Sequence, residues 1–175
     1  MAFCGIMTAM ALVSMILGHL LPVMLYTSVL LSGVCIAFVS EEIDLRYATS
    51  VYLAVSVLAL LFLPDKEAAV VFITIFGYYP VFRNLISQSD KKILHNSKIL
   101  FIIKLIYINI CCILYFLITT YILGIPKENL SIGEVYLPGV FLVMGNLLCL
   151  MYDKALNNLI LLYKYKFRKN IFRKW

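Results

Sequence analysis

Charge is what this chain has least of. Only 14% of its 175 residues are Asp, Glu, Lys or Arg, against 63% hydrophobic, and mean hydropathy is +0.98. Soluble domains are roughly 45–50% apolar, and a fold of this length has no interior large enough to hide the surplus, so an integral membrane protein is expected. No Lys or Arg precedes Arg46. The first apolar run therefore lacks the basic flank of a secretory signal and, being long enough to span, reads as a retained helix. There is no Gly-rich phosphate loop, no HExxH pair, no GxSxG elbow and no carboxylate cluster at metal spacing. These absences argue against an enzyme and against a nucleotide-hydrolysing motor in this chain alone, and no cofactor or metal is expected. CxxC is missing too: Cys4, Cys35, Cys111, Cys112 and Cys149 all fall in apolar runs, as small packing residues. Without an internal repeat, a low-complexity tract or a long linker, residues 1–175 read as one domain.

What is present is a series of uncharged runs bounded by charge, Pro or Gly. They predict an all-α polytopic bundle of six transmembrane helices at about 2–21, 22–40, 48–63, 68–84, 98–124 and 135–157, the third and fourth short for a span of roughly 20 residues. Pro22 splits the first forty residues into two spans. With six crossings, Arg46, Arg83, Lys91, Lys92, Lys98 and the seven basic residues from Lys154 to Lys174 share one side; only Lys66 and Lys127 lie on the other, and Lys104 is inside a span. Basic residues mark the cytoplasmic side, so both termini are expected there. The net charge of +6 is concentrated beside a membrane helix. That points to anionic lipid headgroups rather than nucleic acid as its counterpart. The tail, about 159–175, spaces Ile160, Tyr163, Phe167, Ile171 and Trp175 by three or four among the basic residues. It reads as an interfacial amphipathic helix, serving either as a positive-inside anchor or as a docking surface for a cytoplasmic partner.

Polar residues inside spans cost about 2.5–3.5 kcal/mol each at a helix centre and need partners. Depth alone places Glu41, Glu42, Lys104 and Asp153 in one inner layer, capped by the hydroxyls of Tyr78 and Tyr79 in "FGYYP". The layer reads as a structural staple or as a gate. Gly139, Asn146, Asp153 and Asn157 share a stripe of the last span. Gly77 permits close approach, and Pro80 frees a backbone carbonyl. At the outer level "PDKE" brings Asp65, a candidate N-cap, with Lys66 and Glu67; His19, Tyr26, Glu134 and Tyr136 lie at similar depth, and the seven are the candidate ligand-binding set. The first helix carries two small-residue faces, one of Cys4, Ala11, Ser14 and Gly18, the other of Ala2, Gly5 and Ala9. Such faces let helices approach closely, so Ala2, Gly5, Ala9, Ala11, Ser14 and Gly18 are candidates for docking a neighbour, inside the fold or outside it.

The small-residue start "AFCGIMTAMALVSMILGHLLP", six helices and a length near 175 residues resemble the substrate-binding S components of energy-coupling factor transporters. The stretches "LLFLPDKEAAVVFITIFGYYPVFRNLI", "IIKLIYIN" and "LLCLMYDKAL" are similar to a group of small uncharacterised bacterial membrane proteins associated with that class. The resemblance implies a bacterial cytoplasmic membrane and capture of a vitamin, cofactor precursor or metal from an outward cavity. It also implies docking of the first helix on a transmembrane coupling subunit driven by ATPases. Where S components carry Ala-xxx-Ala pairs, this chain has Gly5 with Ala9 and Ser14 with Gly18, and no vitamin signature identifies the substrate. A non-enzymatic uptake subunit is thus the leading expectation. The alternative is a membrane scaffold or accessory protein that recruits a partner through the inner layer and basic tail.

Overall fold

The computed structural model describes residues 2–21, 24–89, 97–121, 131–132 and 135–168. It is a helical bundle: α1 (Ala2–Leu20), α2 (Leu25–Glu42), α3 (Leu45–Phe62), α4 (Lys66–Val71), α5 (Tyr79–Ser89), α6 (Ser97–Tyr121) and α7 (Leu137–Leu162). The strands among the described residues form an antiparallel ribbon, β1 (Ser131–Ile132) and β2 (Val135–Tyr136), of two residues each. Five segments are long and apolar enough to cross a membrane: α1, α2, α3, Lys66–Ile86 and Ile99–Tyr121. At 26 residues α7 has the length as well.

The helix boundaries follow local chemistry. The α1 helix ends at Leu20 and α2 begins at Leu25, with Pro22 of the intervening sequence outside the described residues. Asp44 begins α3, its Oδ1 accepting from the Leu45 amide at 3.0 Å. At the other end of α3 the Lys66 ammonium donates to the carbonyls of Leu60 and Leu63, at 2.7 and 2.9 Å, and so satisfies acceptors that a helix terminus leaves open.

The expected fourth span is one rod, Lys66–Ile86, that carries a π turn in its middle. After α4 the chain makes a π-helical turn, Phe72–Phe76, then passes through Gly77 and Tyr78 into α5. The Gly77 amide reaches back five residues to the Phe72 carbonyl, at 2.7 Å. The Ile73 carbonyl, left without that amide, accepts instead from the Tyr52 hydroxyl of α3 at 2.9 Å. Pro80 has no amide to offer the Phe76 carbonyl. That carbonyl lies against Gly33 of α2, where a Cβ would come within 2.8 Å of it.

Helix α2 is the centre of the bundle, touching α1, α3, α5, α7 and the π turn. Its buried face is built of small residues, including Ser28, Ser32, Gly33, Ala37 and Ser40. Ser28, Ser32 and Ser40 turn their hydroxyls onto carbonyls three residues back, which keeps the face narrow and polar-satisfied. Close backbone approach then supplies the packing that the hydrophobic effect cannot supply in lipid. The outward faces of α1, α3, α6 and α7 carry exposed Leu, Ile, Val and Met, such as Leu20, Leu61, Ile106 and Val143. A continuous apolar exterior of this kind is what a lipid environment accommodates.

Candidate functional site

Polar side chains of three helices meet at Asp153. This carboxylate of α7 accepts from the Lys104 ammonium of α6 at 2.6 Å and from the Tyr79 hydroxyl of α5 at 2.8 Å. Arg83, one turn beyond Tyr79, brings its Nε to 3.6 Å from the same carboxylate and donates from its outer nitrogen to Asn157, one turn beyond Asp153. Asn84 donates to the Ser40 carbonyl of α2 at 2.9 Å. One anion thus holds two cations and a phenol from two other helices. Lys104 and Asp153 are mostly shielded, their side chains 21% and 15% exposed. An ion pair so placed offsets its desolvation only with short, charge-assisted bonds and further partners, and this one has both.

The sequence pattern brings these groups together in part. Spacings of four put Tyr79 with Arg83, and Asp153 with Asn157, on matching faces of α5 and α7. Of the expected inner layer, Lys104, Asp153 and Tyr79 meet. Tyr78 does not join them: its ring packs between Tyr52 and Tyr107, with centroids 5.7 and 6.4 Å away. Glu41 and Glu42 are not the carboxylates that hold Lys104. Both end α2, and Glu41 lines a small cleft together with Arg83 and Asn84. Arg83 and Asn157 are members of the cluster that depth alone did not select.

On the other stripe positions of α7, Asn146 donates to Asn109 of α6 at 3.1 Å. Gly145 rather than Gly139 makes the close approach, since a Cβ there would lie 2.9 Å from the Cys112 sulfur and one at Gly139 would meet nothing.

At the opposite end of the bundle the candidate ligand-binding residues are divided among separate local contacts. His19 Nδ1 stands 3.8 Å from the Asp65 carboxylate, joining the end of α1 to the start of α4. Asp65 occupies the N-cap position of α4, but its side chain makes no capping bond. Lys66 is turned onto the end of α3, as described above. Glu67 accepts from the Tyr115 hydroxyl of α6 at 3.2 Å. Tyr26 is exposed. Glu134 lies outside the described residues, and Tyr136 belongs to β2.

The two faces of α1 are sorted. Ala11 and Gly18 are buried against α2, where a Cβ on Gly18 would fall 2.0 Å from the Ser28 hydroxyl oxygen; Cys4 and Ser14 are half-buried. Ala2, Gly5 and Ala9 are exposed, with nothing within 4 Å of a Cβ on Gly5. At the tail, α7 runs on to Leu162 and a π-helical segment, Tyr163–Arg168, follows without a break. Ile160 is buried, and Tyr163 stacks on Phe38 of α2 at 4.7 Å, so the root of the tail is part of the bundle.

The five cysteines are free thiols, and no group of three or more potential metal ligands lies together among the described residues. Comparison of the chain with family models, with curated proteins and with solved structures finds no match.

Proposed function

We propose that this protein is a non-enzymatic membrane subunit for moving a small solute, that its working centre is the Asp153 cluster, and that a partner supplies the energy. The observation that carries the reading is the coincidence of two costly features. An ion-pair network inside the bundle is joined to a span that carries a π turn, and Tyr79 and Arg83 both stand on the helix that follows the turn. Charges at membrane depth are functional candidates by default, and π turns inside helices occur frequently at functional sites. The reading moves the site away from the "PDKE" end, whose side chains are occupied in stapling helices to one another. Six crossings, both termini in the cytoplasm of a bacterium and a basic tail on anionic lipid complete the proposal. The Phe38 and Tyr163 stack favours a second reading, a membrane accessory protein, because it fixes the base of the basic tail for a partner.

The test is purification from native membranes into lipid nanodiscs, with mass spectrometry of the small molecules and proteins retained. The wild type is expected to keep a solute at about one per chain. The Lys104→Met/Asp153→Asn double variant, in which no lone charge remains from that pair, is expected to fold and lose it. Recovery of phospholipid alone with the wild type overturns the transport reading, and a protein retained through the tail then favours the second.

A further inference from the structure

Of the five spans, the one within α6, Ile99–Tyr121, is the least covered by its own chain: 11% of its apolar stretch is buried, against 50% for α2. Its outward face repeats at spacings of three and four, through Ile99, Ile102, Ile106, Asn109, Ile113 and Phe116. The four Ile are exposed, and Asn109 and Phe116 are half-buried. A seven-residue period of this kind makes a seam that a second helix can follow with a slight left-handed wrap. Ile is already restricted at χ1 in a helix, so packing it costs little side-chain freedom.

Spacing alone describes any lipid-facing stripe, and α1 presents Ile6, Met10, Val13 and Leu17 in the same way. What separates α6 is an amide. Asn109 stands at the midpoint of the 25-residue helix, whereas α1, α2 and α3 contain no Asn or Gln at all. Its oxygen accepts from Asn146 of α7 at 3.1 Å, the one hydrogen bond that Asn109 makes among the described residues. That bond leaves both N–H groups and one acceptor site of the Asn109 amide unspent. In hydrocarbon the partner for such a group is a polar side chain across a helix interface. An amide is donor and acceptor together, so Asn109 is complementary to itself, as a two-fold interface requires.

We propose that the outward face of α6 is the interface of a homodimer, in which a second copy of this chain lays its own α6 along the seam and the two Asn109 side chains exchange hydrogen bonds at the bilayer midplane. Both copies insert with the same orientation, so the paired helices run parallel and Asn109 meets Asn109. A single polar residue in an apolar heptad seam fixes its register, because a slip of one turn sets each amide against Ile. The bond from Asn146 makes the contact continuous with the α6 and α7 packing inside each copy. The inference is independent of the solute reading, since no residue of the Asp153 cluster lies on the seam.

Subunit counting tests it. The full chain, carrying one fluorophore on a terminal tag, is placed in liposomes over a dilution series of protein to lipid, and its bleaching steps are counted. The wild type is expected to bleach in two steps at high density and in one step on dilution. Asn109→Leu should need a roughly tenfold higher density for half of it to pair, the effect of losing two hydrogen bonds between helices in lipid. A melting curve checks that this variant folds. Should it not fold, disulfide cross-linking in the otherwise wild-type chain decides. Ile113→Cys, on the seam, is expected to link into dimers above the background of the native cysteines, and Leu114→Cys, also exposed but on another face of α6, is expected not to. One-step bleaching at every density leaves lipid as the only cover of the face and overturns the proposal. Unchanged pairing of a folded Asn109→Leu overturns it as well. So do equal cross-linking of Ile113→Cys and Leu114→Cys, and, in native membranes, linkage of Ile113→Cys to a different protein instead of its own copy.

Discussion

Asp153 is held from two helices, so removing any one partner leaves a different residue exposed to loss. Lys104→Met leaves a carboxylate at membrane depth with only Arg83 as its counter-ion and should cost about 3 kcal/mol. Neutralising Asp153 to Asn in the same chain removes that carboxylate but leaves Arg83 without its counter-ion, so it should return only part of the loss, and a thermal-melt double-mutant cycle measures the coupling. Additive losses would mean that the pair contributes nothing of its own. Tyr79→Phe deletes one hydroxyl from a buried position and should cost about 1.5–3 kcal/mol, since the lost bond is to a charged acceptor. Tyr78→Phe, one residue away, should leave the melting curve unchanged. Lys104 and Asp153 were legible in the sequence because an isolated charge in an apolar run demands a partner at its own depth. Glu41, Glu42 and Tyr78 were drawn into the same layer on depth too. Depth says nothing about the direction in which a side chain leaves its helix, and that direction decides which carboxylate Lys104 meets.

Packing between helices is governed by where the backbone has no side chain to spare. Gly18→Ala places a methyl into Ser28 and should force α1 from α2 at a cost of about 1–3 kcal/mol, whereas Gly5→Ala should be silent in the isolated protein. Comparing the two melting curves tests the sorting of the faces, and equal effects would refute it. Gly33→Ala should be at least as damaging, because its Cβ would meet both the Tyr152 hydroxyl, at 2.3 Å, and the Phe76 carbonyl. Both small-residue stripes of α1 were visible by spacing. Which one faces inward was not, since that depends on where α2 returns. The "PDKE" stretch was likewise readable as a helix start. Its lysine turns backwards onto α3, however, and its aspartate turns sideways to His19, contacts that need coordinates from neighbouring helices.

For the molecule as a whole, hydropathy and the distribution of Lys and Arg set out the spans, because lipid leaves a backbone few ways to satisfy its own polar groups. Reporter tags that distinguish the two sides of the membrane should place both ends of the chain in the cytoplasm, and a terminus found outside would remove one crossing. What composition could not show was the π turn at Phe72–Phe76, since "FITIF" has the same apolar character as an ordinary helical turn. That turn has a geometric corollary. A π turn holds one residue more than the regular helix around it, and each residue of a regular helix advances the side chains by about 100°. Excising one residue from 72–76 would let the span close into an unbroken ladder with the Tyr79 and Arg83 face still turned towards α7, whereas forcing the same residues into regular helix would swing that face by about 100°. The wide turn thus takes up a surplus residue, keeping the polar half of the rod aimed at its target.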